Sequence, residues 1–250
     1  MIKLLQGDCL EVMKGIPDGS IDAIITDPPY GTTACKWDSV IDFDLMWEQL
    51  NRIIKPNGAI VLFASQPFTS VLTVSNIEMF RHEWVWVKNR GSNFANTVRE
   101  PMKEHETILV FSRGKWVYNK QMQERTGGGL DRAKYDVKHN SQDRETYRKF
   151  EGRDAHKIAN LRVPSSCQKF NIASGNEKTK HPTQKPLALM EYLIKTYTNE
   201  GETVLDFTMG SGSTLVACDN LNRNGIGIEK DEAYFKIAEQ RLKENAYKLF

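Results

Sequence analysis

Residues 204–214 read VLDFTMGSGST, a short apolar run that leads into a glycine-rich turn. The apolar stretch 215–221 follows at once, so the pattern predicts a strand, a tight turn and a helix. Gly210 and Gly212 leave out side chains where backbone must approach a ligand closely. The third glycine of a dinucleotide fingerprint and the lysine of a phosphate-binding loop are absent. The stretch therefore favours a nucleoside without a pyrophosphate over NAD or ATP, with a purely structural turn as the alternative.

Short apolar runs alternate with longer amphipathic stretches along most of the chain. This alternation is typical of a parallel sheet that helices cover on both faces. The predicted strands are the β-branched or aromatic runs at 2–5, 21–26, 59–64, 84–87, 107–111, 203–207 and 225–228. Glu229 directly follows the last strand, where an acidic side chain can accept hydrogen bonds from ribose hydroxyls.

A second stretch with chemical potential is residues 21–30, which read IDAIITDPPY. Because each proline fixes its own φ and restricts the residue before it, we expect Asp27 and the Pro28 carbonyl to be adjacent, preorganised acceptors. Two such acceptors suit the NH2 group of a nucleobase, and Tyr30 could stack on the ring. The alternative is a strand end that a Pro-Pro turn closes.

Residues 181–186 read HPTQKP and precede an apolar-periodic stretch at 187–197. Pro186 indicates a helix start, and the free N–H groups of a helix start favour an anionic group such as a carboxylate. We interpret His181 as a hydrogen-bonding residue rather than a catalyst.

The charge is distributed unevenly along the chain, although the net charge is only +2. Residues 113–180 carry 16 Lys and Arg against 8 Asp and Glu, a net of +8, whereas the remainder carries 18 against 24. Tyr135, Tyr147 and Phe150 stand among these basic residues. The segment is either a solvated, partly disordered insertion or a surface that neutralises nucleic-acid phosphates while its aromatic rings stack on bases.

Length and composition exclude several classes of protein. The 250 residues are 40% hydrophobic and 26% charged, as in ordinary globular proteins. Apolar runs such as 59–64 are far shorter than the roughly 20 residues that cross a bilayer, and Asp8 and Glu11 interrupt any N-terminal signal peptide. The 4 widely spaced cysteines indicate neither a zinc site nor a disulfide framework. We therefore expect a cytoplasmic protein with no metal centre and no membrane contact.

The order of the three stretches resembles that of a known family. The Asp-Pro-Pro-Tyr motif comes first, residues 181–186 follow, and residues 206–214 come last. This is the order in the beta group of DNA amino-methyltransferases, which use S-adenosylmethionine. The resemblance spans nearly the whole chain outside residues 113–180.

The resemblance implies a fold and a division into domains. The fold is α/β, with a seven-stranded, mostly parallel, Rossmann-like methyltransferase sheet in circularly permuted order. Residues 1–112 and 181–250 together would form the catalytic domain. Residues 113–180 would be an inserted target-recognition region.

The resemblance also implies roles for the residues of the first motif. Asp27 and Pro28 would bind the target amine, with Pro29 completing the motif, and Tyr30 would stack on the flipped base. Members with Asp at the first catalytic position usually methylate adenine N6, whereas members with Ser there usually methylate cytosine N4. Asp27 therefore favours adenine.

A second set of residues would hold the cofactor. The residues implied to bind S-adenosylmethionine are Asp8, Thr183, Lys185, Asp206, Phe207, Gly210, Gly212, Ser213, Thr214 and Glu229. Asp8 would contact the adenine of the cofactor, Glu229 its ribose, and Thr183 and Lys185 its methionine end.

The function that the sequence favours is site-specific methylation of adenine N6 in duplex DNA, on a base flipped out of the helix. Methylation of cytosine N4 is one alternative, and a catalytically silent DNA-binding module is another. RNA and protein-glutamine methyltransferases have a related Pro-Pro-Tyr motif, but they usually place the cofactor glycines before it. A homodimer and a cognate restriction enzyme acting on the same site are further partners consistent with the family.

Overall fold

The computed structural model describes residues 1–32, 38–125, 160–179 and 181–248. The chain divides into two compact units. The larger unit comprises Met1–Asn119 and Ser166–Phe250, and the smaller unit comprises Lys120–Ser165.

The larger unit is built on one eight-stranded sheet, and the smaller unit contains a two-stranded sheet. The strands are β1 (Ile2–Gln6), β2 (Ile21–Thr26), β3 (Ile54–Ala64), β4 (Phe80–Ser92), β5 (Lys103–Phe111), β6 (Gln123–Glu124), β7 (Leu161–Arg162), β8 (Cys167–Lys169), β9 (Thr203–Asp206) and β10 (Asn224–Glu229). The order across the large sheet is β1-β10-β9-β2-β3-β5-β4-β8. Its neighbouring strands are parallel except where β5 pairs with β3 and β4.

Helices connect the parallel strands of this sheet. The described α-helices are α1 (Cys9–Met13), α2 (Phe43–Ile53), α3 (Phe68–Ser75), α4 (Leu187–Tyr197), α5 (Ser213–Asn220) and α6 (Glu232–Lys248). Pro186 stands directly before α4, so the predicted helix start is confirmed. Among the described residues, no helix is both long and apolar enough to cross a membrane.

The core lies on both faces of the sheet, because successive residues of a strand point in opposite directions. On one face, Ile24 of β2 packs in a cluster that includes Leu50 of α2. On the other face, Ile25 packs in a cluster with Leu193 of α4 and Ala217 of α5. Burial on both faces explains why the central strands read as nearly continuous apolar runs.

The predicted fold class is confirmed, since all seven predicted strands lie in the sheet. The structure adds an eighth strand, β8, at the edge beside β4. Its sequence, Cys-Gln-Lys, has no apolar run, and only its second residue is buried. The strand is held by backbone pairing with β4, which a hydrophobic pattern does not reveal.

In the smaller unit, β6 and β7 pair in antiparallel fashion. This unit, Lys120–Ser165, is shorter than the predicted insertion at 113–180. Residues 126–159, which hold Tyr135, Tyr147 and Phe150, lie outside the described residues. A target-recognition role for 113–180 stays a prediction.

Candidate active site

The candidate site lies where the sheet changes its winding direction. β2 and β9 are neighbours, with β3 following on one side and β10 on the other. In open α/β sheets, ligands bind at the carboxyl ends of the two strands that flank such a point. A cleft of about 990 Å³ opens there, and its lining includes Asp27 after β2 and Asp206 at the end of β9.

Asp27 directly follows the buried strand β2, and two donors hold its carboxylate. The Tyr30 hydroxyl donates to Oδ1 at 2.5 Å, and the Lys185 ammonium donates to Oδ2 at 2.5 Å. The Asp27 side chain is 23% exposed. Each carboxylate oxygen has two lone pairs, so the carboxylate can accept a further hydrogen bond from a ligand.

Tyr30 is fixed at both ends of its side chain. Its ring stacks on Phe68 of α3 with centroids 5.1 Å apart. Burial, reinforced by the neighbouring Asp27 carboxylate, raises the pKa of the Tyr30 hydroxyl well above its ordinary value. The hydroxyl therefore stays protonated and serves as a hydrogen-bond donor to Asp27.

Lys185 contacts a second acid that was not among the predicted site residues. Its Nζ lies 3.2 Å from Oε2 of Glu106 on β5, and Lys88 of β4 lies 2.6 Å from Oε1 of the same carboxylate. Because β5 runs antiparallel to β4, the amino-terminal half of β5 lies beside the carboxyl-terminal end of β4. Glu106 is distant from Asp27 in the sequence, so local spacing could not have predicted this contact.

A chain of hydroxyl groups links the ends of β2 and β9. Thr26 donates to Asp206 Oδ1 at 2.6 Å and lies 2.7 Å from the hydroxyl of Thr208. The Thr208 hydroxyl donates to the Asp27 carbonyl at 3.1 Å. These contacts hold the backbone after the two strands in one arrangement. The threonines were not predicted to be site residues, because a lone buried Thr carries no sequence signal.

Asp206 is nearly fully buried, and Thr214 also donates to its Oδ2, at 2.5 Å. Burial raises the pKa of Asp206 to about 6, although hydrogen bonds from Thr214 and Thr26 oppose the rise. Asp206 therefore organises the turn that follows β9. Phe207, the next residue, is 1% exposed and packs in the core while it also lines the cleft.

The glycine turn requires glycine at two positions. Gly210 has φ +51°, and a Cβ there would lie 2.7 Å from Nε2 of His181. Gly212 has φ +76°, and a Cβ there would lie 3.0 Å from Cβ of Ala238. Positive φ and close neighbours both exclude larger residues. The close neighbours of these two glycines in the structure are other residues of the chain, and the approach of the turn to a ligand stays a prediction.

Acidic side chains border the other end of the cleft. Glu229, at the end of β10, accepts from the Gly210 amide at 2.9 Å and from the Asp231 amide at 2.8 Å. Asp8 follows β1, caps α1 through the Leu10 amide at 3.1 Å and pairs with Lys230. Burial raises the pKa of Glu229, while these backbone hydrogen bonds oppose the rise.

The predicted site residues converge on one cleft. The lining includes Asp8, Asp27, Pro28, Pro29, Tyr30, Thr183, Lys185, Asp206, Phe207, Gly210, Ser213, Thr214 and Glu229. Gly212, in contrast, stands directly before α5 and packs against Ala238 of α6. Lys185, predicted near the methionine end of the cofactor, lies on the Asp27 carboxylate.

His181 gives the site a testable dependence on pH. Burial, together with the charges of Lys185 and Arg241, lowers the pKa of His181 to about 4. An unfolded chain takes up this proton near pH 6.5, so the free energy of unfolding should fall as the pH drops from about 6.5 to about 4, by on the order of 3 kcal/mol. Urea unfolding at several pH values measures the change.

The variant His181→Gln should flatten this part of the stability profile. His105→Gln, which removes an exposed histidine of β5, is the matched control. An equal slope of stability against pH in wild type and His181→Gln would show that His181 is not buried in its neutral form.

Comparisons with known proteins agree with this geometry. The profile of the family of N6- and N4-methyltransferases described as DNA methylase matches residues 21–240. The Type II methyltransferase M.HpaI of Haemophilus parainfluenzae is 30% identical, over 96% of this chain and 74% of that protein. The crystal structure of an M1.HpyAVI–SAM complex is 33% identical, with a TM-score of 0.66, over 97% of this chain and 99% of the other.

A more distant structure shares the fold alone. The cytosine-N4-specific PvuII DNA methyltransferase is 16% identical, with a TM-score of 0.67, over 96% of this chain and 86% of that chain. Fold and cleft together thus define an α/β methyltransferase. Within that class, this chain belongs to the DNA methylase family of amino-methyltransferases, and the family predicted from the three motifs is confirmed.

Proposed function

We propose that this protein is a site-specific DNA adenine-N6 methyltransferase that uses S-adenosylmethionine. The observation that carries the proposal is the position of Asp27. Its carboxylate stands at the carboxyl end of β2, in the same cleft as the glycine turn after β9. An acceptor for a base amine and a turn suited to a nucleoside therefore share one cleft.

The residues of the cleft fit S-adenosylmethionine as the cofactor. The glycine turn, Asp8 and Glu229 lie at the carboxyl ends of three adjacent strands. Carboxylates at these ends can accept hydrogen bonds from ribose hydroxyls and from an adenine amine. Lys185 is engaged with Asp27 and Glu106, so this lysine does not serve a pyrophosphate at the glycine turn.

When bound, S-adenosylmethionine supplies a methyl group that is electrophilic because it is attached to a sulfonium. The residues of the chain supply orientation. Asp27 and the Pro28 carbonyl accept the two N–H bonds of the target amine, which directs its nitrogen lone pair toward the methyl group. Tyr30, which Phe68 holds in place, stacks on the base.

The target amine must leave the DNA helix before it can reach Asp27. In a duplex, adenine N6 is paired and stacked, and extrusion costs a few kcal/mol. We propose that phosphate contacts from the basic segment 113–180 offset this cost. The recognition sequence is read there, and the homodimer and the cognate restriction enzyme remain further predictions.

The proposal also specifies which base is methylated. Asp27 in place of Ser supports adenine N6, in keeping with the pattern in this family. Cytosine N4 is the second candidate, because the family includes methyltransferases of both amines. The two amines present the same pair of N–H donors, so the acceptor geometry at Asp27 suits either.

The test is transfer of labelled methyl from S-adenosylmethionine to unmethylated duplex DNA, followed by digestion to nucleosides and chromatography. We expect the label in N6-methyladenine. Label in N4-methylcytosine would keep the mechanism and correct the base. Absence of label on duplex DNA, together with intact cofactor binding measured by calorimetry, would refute the proposed substrate.

A further inference from the structure

Four charged side chains form a continuous row at the substrate end of the cleft. Asp27 contacts Lys185 at 2.5 Å, Lys185 contacts Glu106 at 3.2 Å, and Glu106 contacts Lys88 at 2.6 Å. The charges alternate in sign along the row. The four residues come from distant parts of the sequence, and the sheet and the segment before α4 bring them together.

The row is largely buried, so each of its charges requires a partner of opposite sign. The side chains of Lys185 and Lys88 are each 9% exposed, and that of Glu106 is 15% exposed. Unpaired charges are strongly disfavoured at such depth. Each cation also lies over one aromatic ring, since the Lys185 ammonium is 5.1 Å from the centre of the Phe63 ring and the Lys88 ammonium is 5.3 Å from that of Trp86.

The contacts restrain the carboxylate that the proposed function assigns to the target amine. Lys185 occupies Oδ2 of Asp27, and Tyr30 donates to Oδ1. With one donor on each oxygen, the plane of the carboxylate is set before any base arrives. Preorganisation of this kind removes the reorganisation that free rotation of Asp27 would require during the reaction.

We propose that Lys185 and Glu106 are positioning residues for the Asp27 carboxylate, which Lys185 keeps ionised and oriented for the target amine. Lys185 acts on Asp27 directly, and Glu106 acts by holding the Lys185 ammonium in place. This inference rests on the proposed function. It also departs from the role of Lys185 at the methionine end of the cofactor that the sequence resemblance implies.

The charged groups around Asp27 act in opposite directions. Burial raises the pKa of Asp27, the Lys185 ammonium works against this rise, and the Glu106 carboxylate adds to it. The Tyr30 hydroxyl also favours the ionised form. Asp206 is a further acid, on the neighbouring strand β9, and the hydroxyls of Thr26 and Thr208 link it to the Asp27 backbone. The charges of Asp206 and Asp27 repel each other. Lys88 reaches Asp27 only through Glu106.

The two positioning residues should therefore shift the ionisation of Asp27 in opposite directions. Lys185→Gln removes a cation, so the pKa of Asp27 should rise by about one unit or more. Glu106→Gln removes an anion, so the pKa of Asp27 should fall. A merely structural role would produce changes of one sign, because both variants would loosen the same packing.

The first readout is the dependence of kcat on pH for methyl transfer to duplex DNA. The acidic limb of the profile should move to higher pH in Lys185→Gln and to lower pH in Glu106→Gln. Lys185→Arg keeps the positive charge and should restore the position of the limb. Lys55→Gln is the matched control, because it breaks the ion pair between Lys55 of β3 and Asp22 of β2, away from the cleft.

The second readout needs no DNA. Carbon-13 NMR of labelled aspartate carboxyl groups, with the Asp27 signal assigned through Asp27→Asn, gives the ionisation of Asp27 in each variant. Shifts of opposite sign in the two variants would support the inference even if duplex DNA proved not to be the substrate. An unchanged Asp27 midpoint in both variants would overturn it.

Cofactor affinity distinguishes the positioning role of Lys185 from a role of Lys185 in binding the methionine end of the cofactor. We expect calorimetry to give the same affinity for S-adenosylmethionine in Lys185→Gln and wild type, within about twofold. A loss of about tenfold or more, with an unshifted Asp27 midpoint, would make Lys185 a cofactor ligand and refute the positioning role. Glu106→Gln tests the inference independently if Lys185→Gln does not fold.

Discussion

Asp27→Ala is expected to abolish methyl transfer while leaving the affinity for S-adenosylmethionine nearly intact. The variant removes the carboxylate that accepts from the target amine, and loss of one preorganised hydrogen-bonding group in an active site costs about 10² to 10³ in kcat. Loss of the restraint on Tyr30 adds to this effect. Lys185 keeps Glu106 as a partner, so the cleft should remain folded. Labelled-methyl transfer and calorimetry measure the two properties separately.

Asp22→Asn provides the matched control for this experiment. Asp22 lies on β2, the strand that precedes Asp27, where it pairs with Lys55 and accepts from the Thr203 amide away from the cleft. Its replacement should affect stability more than turnover. Retained turnover in Asp27→Ala would remove Asp27 from the catalytic role and with it the proposed mechanism.

Gly210→Ala is expected to weaken cofactor binding by about tenfold or more and to destabilise the fold. An alanine at φ +51° would be strained by about 1–2 kcal/mol, and its Cβ would lie 2.7 Å from the His181 ring. The ring or the turn must therefore move. Because the Gly210 amide also donates to Glu229, movement of the turn would displace the acid proposed to bind the ribose.

Gly19→Ala separates backbone strain from the steric clash. Gly19 has φ +58°, but a Cβ there would meet no atom within 4 Å. The two alanine variants should therefore share the cost of a positive φ, and only Gly210→Ala should lose cofactor affinity. Equal affinities for S-adenosylmethionine in the two variants would show that the His181 contact does not maintain the turn.

The fold could be predicted because its signals are local. Each buried parallel strand reads as a short apolar run, and the turns after β2 and β9 contain residues with restricted or unusual backbone conformations. Strand β8 was not predicted, because three residues with one buried side chain leave no periodic pattern. The segment 113–180 was recognised by its charge, which shows composition but not structure.

The site was predicted only where its signals are also local in the sequence. Asp27, Tyr30 and the glycine turn belong to contiguous motifs, so their proximity within each motif could be inferred. Glu106 and Lys88 could not be found, because an acid and a base in separate strands look like ordinary surface charges until the sheet pairs them. The antiparallel pairing of β5 with β4 brings Glu106 to Lys88, and the segment before α4 brings Lys185 to Glu106.

The sequence by itself determined the α/β class, the order of the three motifs and the residue types of the cleft. These properties depend on hydrophobic period, proline and glycine backbone restrictions, and spacing within short segments. The tertiary structure alone decided which side chains neutralise one another. Lys185 lies on Asp27, and Thr26 connects Asp206 to Thr208. Such pairings depend on strand order and register, because a buried charge or hydroxyl takes whichever partner the folded chain places within reach.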